Sequence, residues 1–278
     1  MKVQKFGGTS VGSAKRMRDV AALINDGDKK IVVLSAMSGT TNTLVEIADY
    51  LYKKNPVSAN EVINTLETKY NAVIDELYKT AAYKEKARKA VKVHFDTLRS
   101  LSKNNFFTVF EEKIVLAQGE QMSTAMMNLY LNELGVKSVL LPALDYMRID
   151  KNEEPDVAYI REHIAKEIAK LPADAEMYIT QGYICRNAYN EIDNLKRGGS
   201  DYSASLIGAA INADEIQIWT DIDGMHNNDP RIVDGTKAVR HLHFEEAAEL
   251  AYFGAKILHP TCILPAKMHN VPVRLLNT

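Results

Sequence analysis

Six short stretches of the chain are strand-sized, and most of them read as continuous apolar runs rather than as alternation: residues 2–6, 30–35, 137–141, 177–183, 215–220 and 271–275. Continuous apolar runs of this length, rich in Val and Ile, mark strands covered on both faces. Between them the apolar positions recur at helical spacing over 14–24, 43–53, 59–77, 87–102, 110–131, 157–170, 202–212 and 244–252. Strands alternating with helices predict an α/β protein, with helices packed on both faces of a mainly parallel central sheet. The stretch 55–105 breaks that rhythm. It predicts two long, charge-rich helices with no strand between them, a helical hairpin inserted beside the sheet. One domain over 1–278, with two lobes, is expected.

Composition narrows the class further. The 278 residues are 46% hydrophobic and 25% charged, the balance of an ordinary globular protein. The formal charge is −2 with basic residues scattered, so nothing builds the one-sided positive field that nucleic acid requires. The longest apolar runs fall far short of the ~18 residues of a membrane span. The N-terminal Met-Lys-Val-Gln-Lys-Phe-Gly-Gly has no signal-peptide core, and a cytoplasmic location is expected. The cysteines Cys185 and Cys262 show no metal-ligand spacing, which fits a reduced compartment and argues against a structural zinc site. His241 and His243, read as sharing a strand face near Glu245 and Glu246, are polar surface rather than a metal site. Met122, Met126 and Met127 are core filling.

In open α/β sheets, sites form at the carboxyl edge of the strands. Four of the predicted strand ends carry unusual residues. The first strand runs into Lys5-Phe6-Gly7-Gly8-Thr9-Ser10-Val11-Gly12-Ser13. This is either an anion cradle of backbone N–H groups or a tight strand–helix turn capped by Ser13. It matches neither the Walker A loop nor GxGxxG. After the second strand comes Ser35-Ala36-Met37-Ser38-Gly39-Thr40-Thr41-Asn42, read as a capped turn with Thr41 or Asn42 starting the next helix. Lys196-Arg197-Gly198-Gly199-Ser200-Asp201 joins a bidentate cation to two glycines at a helix start, with Asp201 either functional or the cap. The fourth is Trp219-Thr220-Asp221-Ile222-Asp223-Gly224 with Asp229-Pro230-Arg231, either nucleotide contacts or plain turns.

Taken together with Gly119-Glu120 and Phe253-Gly-Ala-Lys256-Ile257-Leu-His259-Pro260, these segments occur in an order that resembles the aspartokinase catalytic domain. That domain lies within the amino-acid kinase superfamily. The resemblance spans the chain and implies the αβα sandwich of the amino-acid kinase (carbamate kinase-like) fold. It implies transfer of the ATP γ-phosphoryl group to the side-chain carboxylate of L-aspartate, giving 4-phospho-L-aspartate for lysine, threonine and methionine synthesis. ATP with Mg²⁺ would be the cofactor, with no protein metal ligands. By the resemblance, Lys5 neutralises the transferring group and Asp201 orients Lys5. Ser35, Thr41, Glu120, Arg197, Gly198, Gly199 and Ser200 form the substrate pocket, Arg197 gripping the α-carboxylate and Glu120 the α-amino group. Lys5, Phe6, Gly7, Gly8, Thr220, Asp221, His226, Arg231, Lys256 and Ile257 meet the nucleotide.

Some positions depart from the pattern. Lys196 replaces a common glycine, Asp193-Asn194 a common Thr-Thr, and His226 a common tyrosine. The sequence also ends where family members continue into regulatory ACT domains, so those are expected to be absent. A homo-oligomer is compatible with the resemblance. Two rival readings are another kinase of the superfamily, acting on glutamate, N-acetylglutamate or UMP, and a catalytically silent sensor of nucleotide or amino acid.

Overall fold

The computed structural model describes residues 1–278 except 105, 197, 223, 230–231 and 254–257. In chain order the elements are β1 (Lys2–Phe6), α1 (Ala14–Ile24), β2 (Lys30–Leu34), α2 (Thr40–Tyr52), α3 (Pro56–Leu77), α4 (Ala81–Leu101), α5 (Val109–Glu133) and β3 (Ser138–Leu140). They continue with α6 (Val157–Lys170), β4 (Met177–Gln181), β5 (Ile184–Arg186), β6 (Ile192–Asn194), α7 (Gly199–Ala210), β7 (Ile216–Thr220), α8 (Phe244–Tyr252), α9 (Pro260–Met268) and β8 (Val273–Asn277). Among the described residues, six strands form one sheet in the order β3-β4-β2-β1-β7-β8, and every pairing in it is parallel. β5 and β6 make a separate antiparallel pair.

The continuous apolar runs are explained by what lies on the two faces. Within β2, Val32 and Leu34 enter a core shared with α1, α2, α3 and α5. Ile31 and Val33 enter a second core shared with α6 and α7. No position of β2 is left for water, so none is polar except Lys30 at its start. That side chain is fully buried, yet its ammonium donates to the Ile24 carbonyl at 2.8 Å and pairs with Asp26, satisfying the end of α1. Parallel neighbours also leave every carboxyl end on one edge of the sheet.

Local chemistry sets most of the helix starts. Ser13 Oγ accepts from the Arg16 N–H, as its cap reading requires. Asn55, Thr80 and Asp156 cap α3, α4 and α6, and Thr108 with Glu111 forms a capping box on α5. The 55–105 stretch forms α3 and α4. They do more than flank the sheet: α3 packs on α1 and α2, α4 packs on α5, and Ile63, Tyr70, Ile74 and Phe95 belong to the first core.

Several expectations are corrected. α2 starts at Thr40, with Gly39 as its cap at φ +81°, rather than at Thr41 or Asn42. Glycine reaches that left-handed conformation without the steric cost other residues incur. Asp201 lies in the first turn of α7, while Gly198 is the cap, because the carboxylate has a stronger partner elsewhere. His241 and His243 are on no strand; His243 caps α8, whose capping box uses Glu246. α9 was not foreseen, since Pro260 opens it and Pro265 interrupts it. The α7 residue Ser205 compensates, its Oγ accepting from the Ala266 N–H at 3.1 Å. Among the described residues no helix is long and apolar enough to cross a membrane.

Candidate active site

Lys5 is the penultimate residue of β1, flanked by β2 at Val33 and by β7 at Ile218. Its position between two parallel neighbours directs the side chain toward the start of α7. There Lys5 Nζ lies 2.7 Å from Asp201 Oδ1, with only 12% and 22% of the two side chains exposed. A Cβ on Gly7 would stand 3.5 Å from the same ammonium, so the charge lies over the glycine backbone. Gly8 faces the second loop. An added Cβ there would meet the Ala36 carbonyl at 2.8 Å, and the Ser38 N–H donates to the Gly8 carbonyl at 3.1 Å. The two loops are thus stitched backbone to backbone, which only a residue without a side chain permits.

The start of α7 is equally constrained. Gly198 sits at φ +72°, and a Cβ there would fall 1.7 Å from Cys262 Sγ on α9. Burial pushes the Cys262 thiol up to about 12, so it acts as a packing group rather than a thiolate.

Between these loops lies a cavity of about 430 Å³, lined by Gly8, Thr9, the segment from Ser35 to Gly39, Thr41, Asn42, Glu120, Tyr183, Gly199 and Ser200. Ser35 Oγ donates to Ser200 Oγ at 2.9 Å, joining the β2 and α7 sides, and Ser123 Oγ donates to the Ser35 carbonyl at 2.8 Å. Among the described residues Glu120 is the one acidic residue that lines the cavity, and it is only 4% exposed. The Ala36 N–H donates to its Oε1 at 3.3 Å. Burial outweighs the backbone hydrogen bonds from Ala36 and from Glu120 itself and raises the carboxyl to about 7. A buried carboxyl short of partners is suited to receive a cationic group from a ligand.

Of the substrate-pocket residues expected from the sequence, Ser35, Thr41, Glu120, Gly199 and Ser200 line this one cavity. Gly198 caps the helix behind it. On the other side of β1, Phe6 stacks on Trp219 with centroids 5.5 Å apart and planes 16° from parallel. Thr220 closes β7, its Oγ1 3.3 Å from Asp221 Oδ1 and accepting from the Ile222 N–H. His226 is buried and its Nδ1 lies 3.0 Å from Thr236 Oγ1. The expectations for Arg197, Arg231, Lys256 and Ile257 lie outside the described residues.

Thr9 and Asn42, which belong to two of the strand-end segments but were assigned no role, also line the cavity, and so does Tyr183, which no motif contained. Tyr183 follows the carboxyl end of β4 at φ +65°, a conformation rare outside glycine. Its sequence signal was weak, a lone Gly182-Tyr183 after an apolar run. The fold places that end beside β2, and a Cβ on Gly182 would fall 2.3 Å from Ser200.

Comparison with known proteins places this arrangement in context. The chain is 34% identical over 276 residues to lysine-sensitive aspartokinase 3 of Escherichia coli (strain K12), covering 98% of this chain and 60% of that protein. It is 35% identical over 288 residues to chloroplastic aspartokinase 3 of Arabidopsis thaliana, covering 99% and 50% respectively. The crystal structure of E. coli aspartokinase III in complex with aspartate and ADP superposes at a TM-score of 0.85, with 31% identity, over 100% of this chain and 62% of that one. The chain therefore spans between half and about three fifths of the length of these relatives. The model of the amino acid kinase family matches residues 1–277. The chain belongs to the amino acid kinase family.

Proposed function

We propose that residues 1–278 form the catalytic domain of an aspartate kinase, with α3 and α4 as an insertion in it. The observation that carries this reading is the Lys5–Asp201 pair, held at the carboxyl edge beside a cavity whose buried acid is Glu120. The two aspartokinases at 34–35% identity support it, as does the related structure that holds aspartate and ADP.

The reaction joins two anions. A substrate carboxylate oxygen bonds to the γ-phosphorus while the bond to the β–γ bridging oxygen breaks, giving an acyl phosphate and ADP. The nucleophile is already ionised at neutral pH, so alignment and charge neutralisation are what the protein must supply. Lys5 provides the positive charge, and Asp201 fixes where the ammonium points. Gly7 and Gly8 leave their backbone N–H groups open to phosphate oxygens. Glu120 pairs with the substrate ammonium, while Ser35, Thr41, Gly198, Gly199 and Ser200 shape the pocket around it. Arg197 is assigned to the α-carboxylate. Phe6, Thr220, Asp221 and His226, with Arg231, Lys256 and Ile257, are assigned to the nucleotide.

Among the described residues no three His, Cys, Asp or Glu side chains converge as a metal cage. The magnesium ion of the nucleotide is assigned to phosphate oxygens and water, the surroundings such a hard, reluctantly dehydrated cation prefers. When bound, the ion would neutralise charge on the phosphates.

The test is hydroxamate trapping of the acyl phosphate with aspartate, glutamate and N-acetylglutamate in turn, and ADP release with UMP. Aspartate alone should yield product. N-acetylglutamate offers no ammonium to Glu120, so turnover with it, or with UMP, would overturn the assignment. ATP binding without aspartate-dependent ADP release at any enzyme concentration would leave a nucleotide-sensing module instead.

A further inference from the structure

The inserted helix α3 meets the wall of the cavity through its middle. Two consecutive residues, Lys69 and Tyr70, grip the corner of the loop between β2 and α2. Lys69 Nζ donates to the Ser38 carbonyl at 2.8 Å. Tyr70 is fully buried, and its hydroxyl lies 3.1 Å from Thr40 Oγ1. Between those two anchor points stands Gly39 at φ +81°, where an added Cβ would lie 3.6 Å from the Lys69 ammonium.

From the opposite side, α5 presses on the same corner. A Cβ on Gly119, next to Glu120, would meet Ala36 Cβ at 2.8 Å and Thr40 Cγ2 at 3.3 Å. Thr40 is therefore held by its hydroxyl from α3 and by its methyl from α5, and it has no exposed surface. The corner itself supplies Ser38, Gly39 and Thr41 to the cavity wall.

This arrangement exceeds what packing alone needs. α3 is already attached to the core through Ile63, Leu66, Ile74 and Leu77. Lys69 is exposed and adds nothing to that apolar attachment. Its bond to a carbonyl beside a left-handed glycine has a visible consequence only for the loop.

We propose that Lys69 and Tyr70 are positioning residues, through which the helical insertion sets the shape of the substrate pocket. The inference rests on the aspartate kinase reading for its substrate, though not for the clamp itself. Neither residue touches the reacting atoms. Both fix where the Ser38–Thr41 wall stands relative to Glu120.

The experiment compares Lys69→Met, Tyr70→Phe and the double variant with the parent chain. Tyr70→Phe keeps the ring that packs edge-on against Phe95 at 5.7 Å, so the core stays filled. Two hydrogen bonds of ordinary strength predict a rise in aspartate KM of about fivefold for each and on the order of tenfold or more together. The KM for ATP and kcat should stay within about twofold of the parent. Lys69→Arg, which keeps a donor, should restore most of the loss. Hydrogen exchange of the 36–42 amides in the free protein should accelerate in the variants, with that of α5 unchanged.

Unchanged exchange at 36–42 overturns the clamp. Faster exchange with unmoved aspartate KM shows that the clamp does not serve the pocket. Equal rises in both KM values point to general loosening and also overturn the proposal. Should the parent fail to use aspartate, the functional reading fails separately and the exchange arm still decides the clamp.

Discussion

Around the cavity, Phe6, Leu34, Met37, Leu44 and Met122 are each 1% exposed or less, and α5 is buried on most of its circumference. Beyond β7 the picture reverses. α8 buries only Ala251, which clusters with Met225, while Ile232, Tyr252 and Phe253 are each more than three quarters exposed. The residues assigned to aspartate thus rest on a continuous core, and several of those assigned to the nucleotide rest on a thin one. The pocket is shaped before any ligand arrives, since its loops are fixed to one another by backbone contacts. Among the described residues the outer side has few apolar contacts to hold it, which places it at the low end of local stability.

The largest test of that contrast uses one substitution in both regions. Met122→Ala, in the main core, should cost about 2–5 kcal/mol through lost burial and a residual cavity. Met225→Ala should cost about 1 kcal/mol, because its shell is thin and can collapse. Urea unfolding with unchanged slope measures both. Equal costs would mean that the outer region is as firmly packed as the inner one.

Lys5→Ala comes next. Removing a preorganised cation from the transferring group should lower kcat by on the order of 100-fold. Asp201→Asn should cost less, because the ammonium remains and only its orienting partner is lost. Unchanged turnover in a folded Lys5→Ala protein would remove the central residue of the inner half.

A smaller effect, specific to the inner half, comes from Glu120. Burial raises its carboxyl from 4.5 to about 7. The folded chain therefore holds a proton that the unfolded chain releases earlier, so this group's contribution to stability falls as pH rises from about 4.5 to about 7 and is level above. An ammonium ligand needs the ionised form. Aspartate KM should accordingly fall about tenfold between pH 6 and pH 8, a window in which the free amino acid itself does not titrate. Tyr70 and Tyr183, the other groups coupled to Glu120, are pushed upward by burial and stay neutral there. Glu120→Gln should flatten the profile. A profile that rises with pH, or one unchanged by the variant, would dissociate Glu120 from the ammonium.

The same inner–outer division governs what could be read from the chain. β2 was legible because burial on both faces leaves an apolar run after Lys30; β1, β4 and β7 were legible as short, strand-sized stretches between helical patterns. The capped helices were legible because their signal is local. α9 was not, since its prolines read as a break and the compensating bond comes from Ser205, more than fifty positions away. The β5–β6 pair was missed because its three-residue strands carry no usable periodicity. The site divides similarly. Glycines and hydroxyls at strand ends announced loops able to hold anions, but no spacing could join Lys5 to Asp201, 196 positions apart. The family resemblance supplied that pair, and the geometry explains it. The Lys69–Ser38 and Tyr70–Thr40 contacts had no local signature at all.

The smallest expected effect is spectroscopic. Trp219 is the only tryptophan of the chain. It stacks on Phe6 and its Nε1 donates to Gln217 Oε1 at 3.2 Å, one residue before Thr220. Its ring therefore bridges the packed β1 side and the outer side assigned to the nucleotide. Titration with MgADP should change its emission, whereas aspartate alone, bound on the far side of β1, should leave it almost unmoved. The stacked pair is worth only about 0.5–1.5 kcal/mol, so Trp219→Phe, which keeps an aromatic partner for Phe6, should hardly alter nucleotide affinity while abolishing the signal. If aspartate moves the emission and the nucleotide does not, the two ligands have been assigned to the wrong sides of β1. The packed half would then be the nucleotide's, and Glu120 would need a different cation.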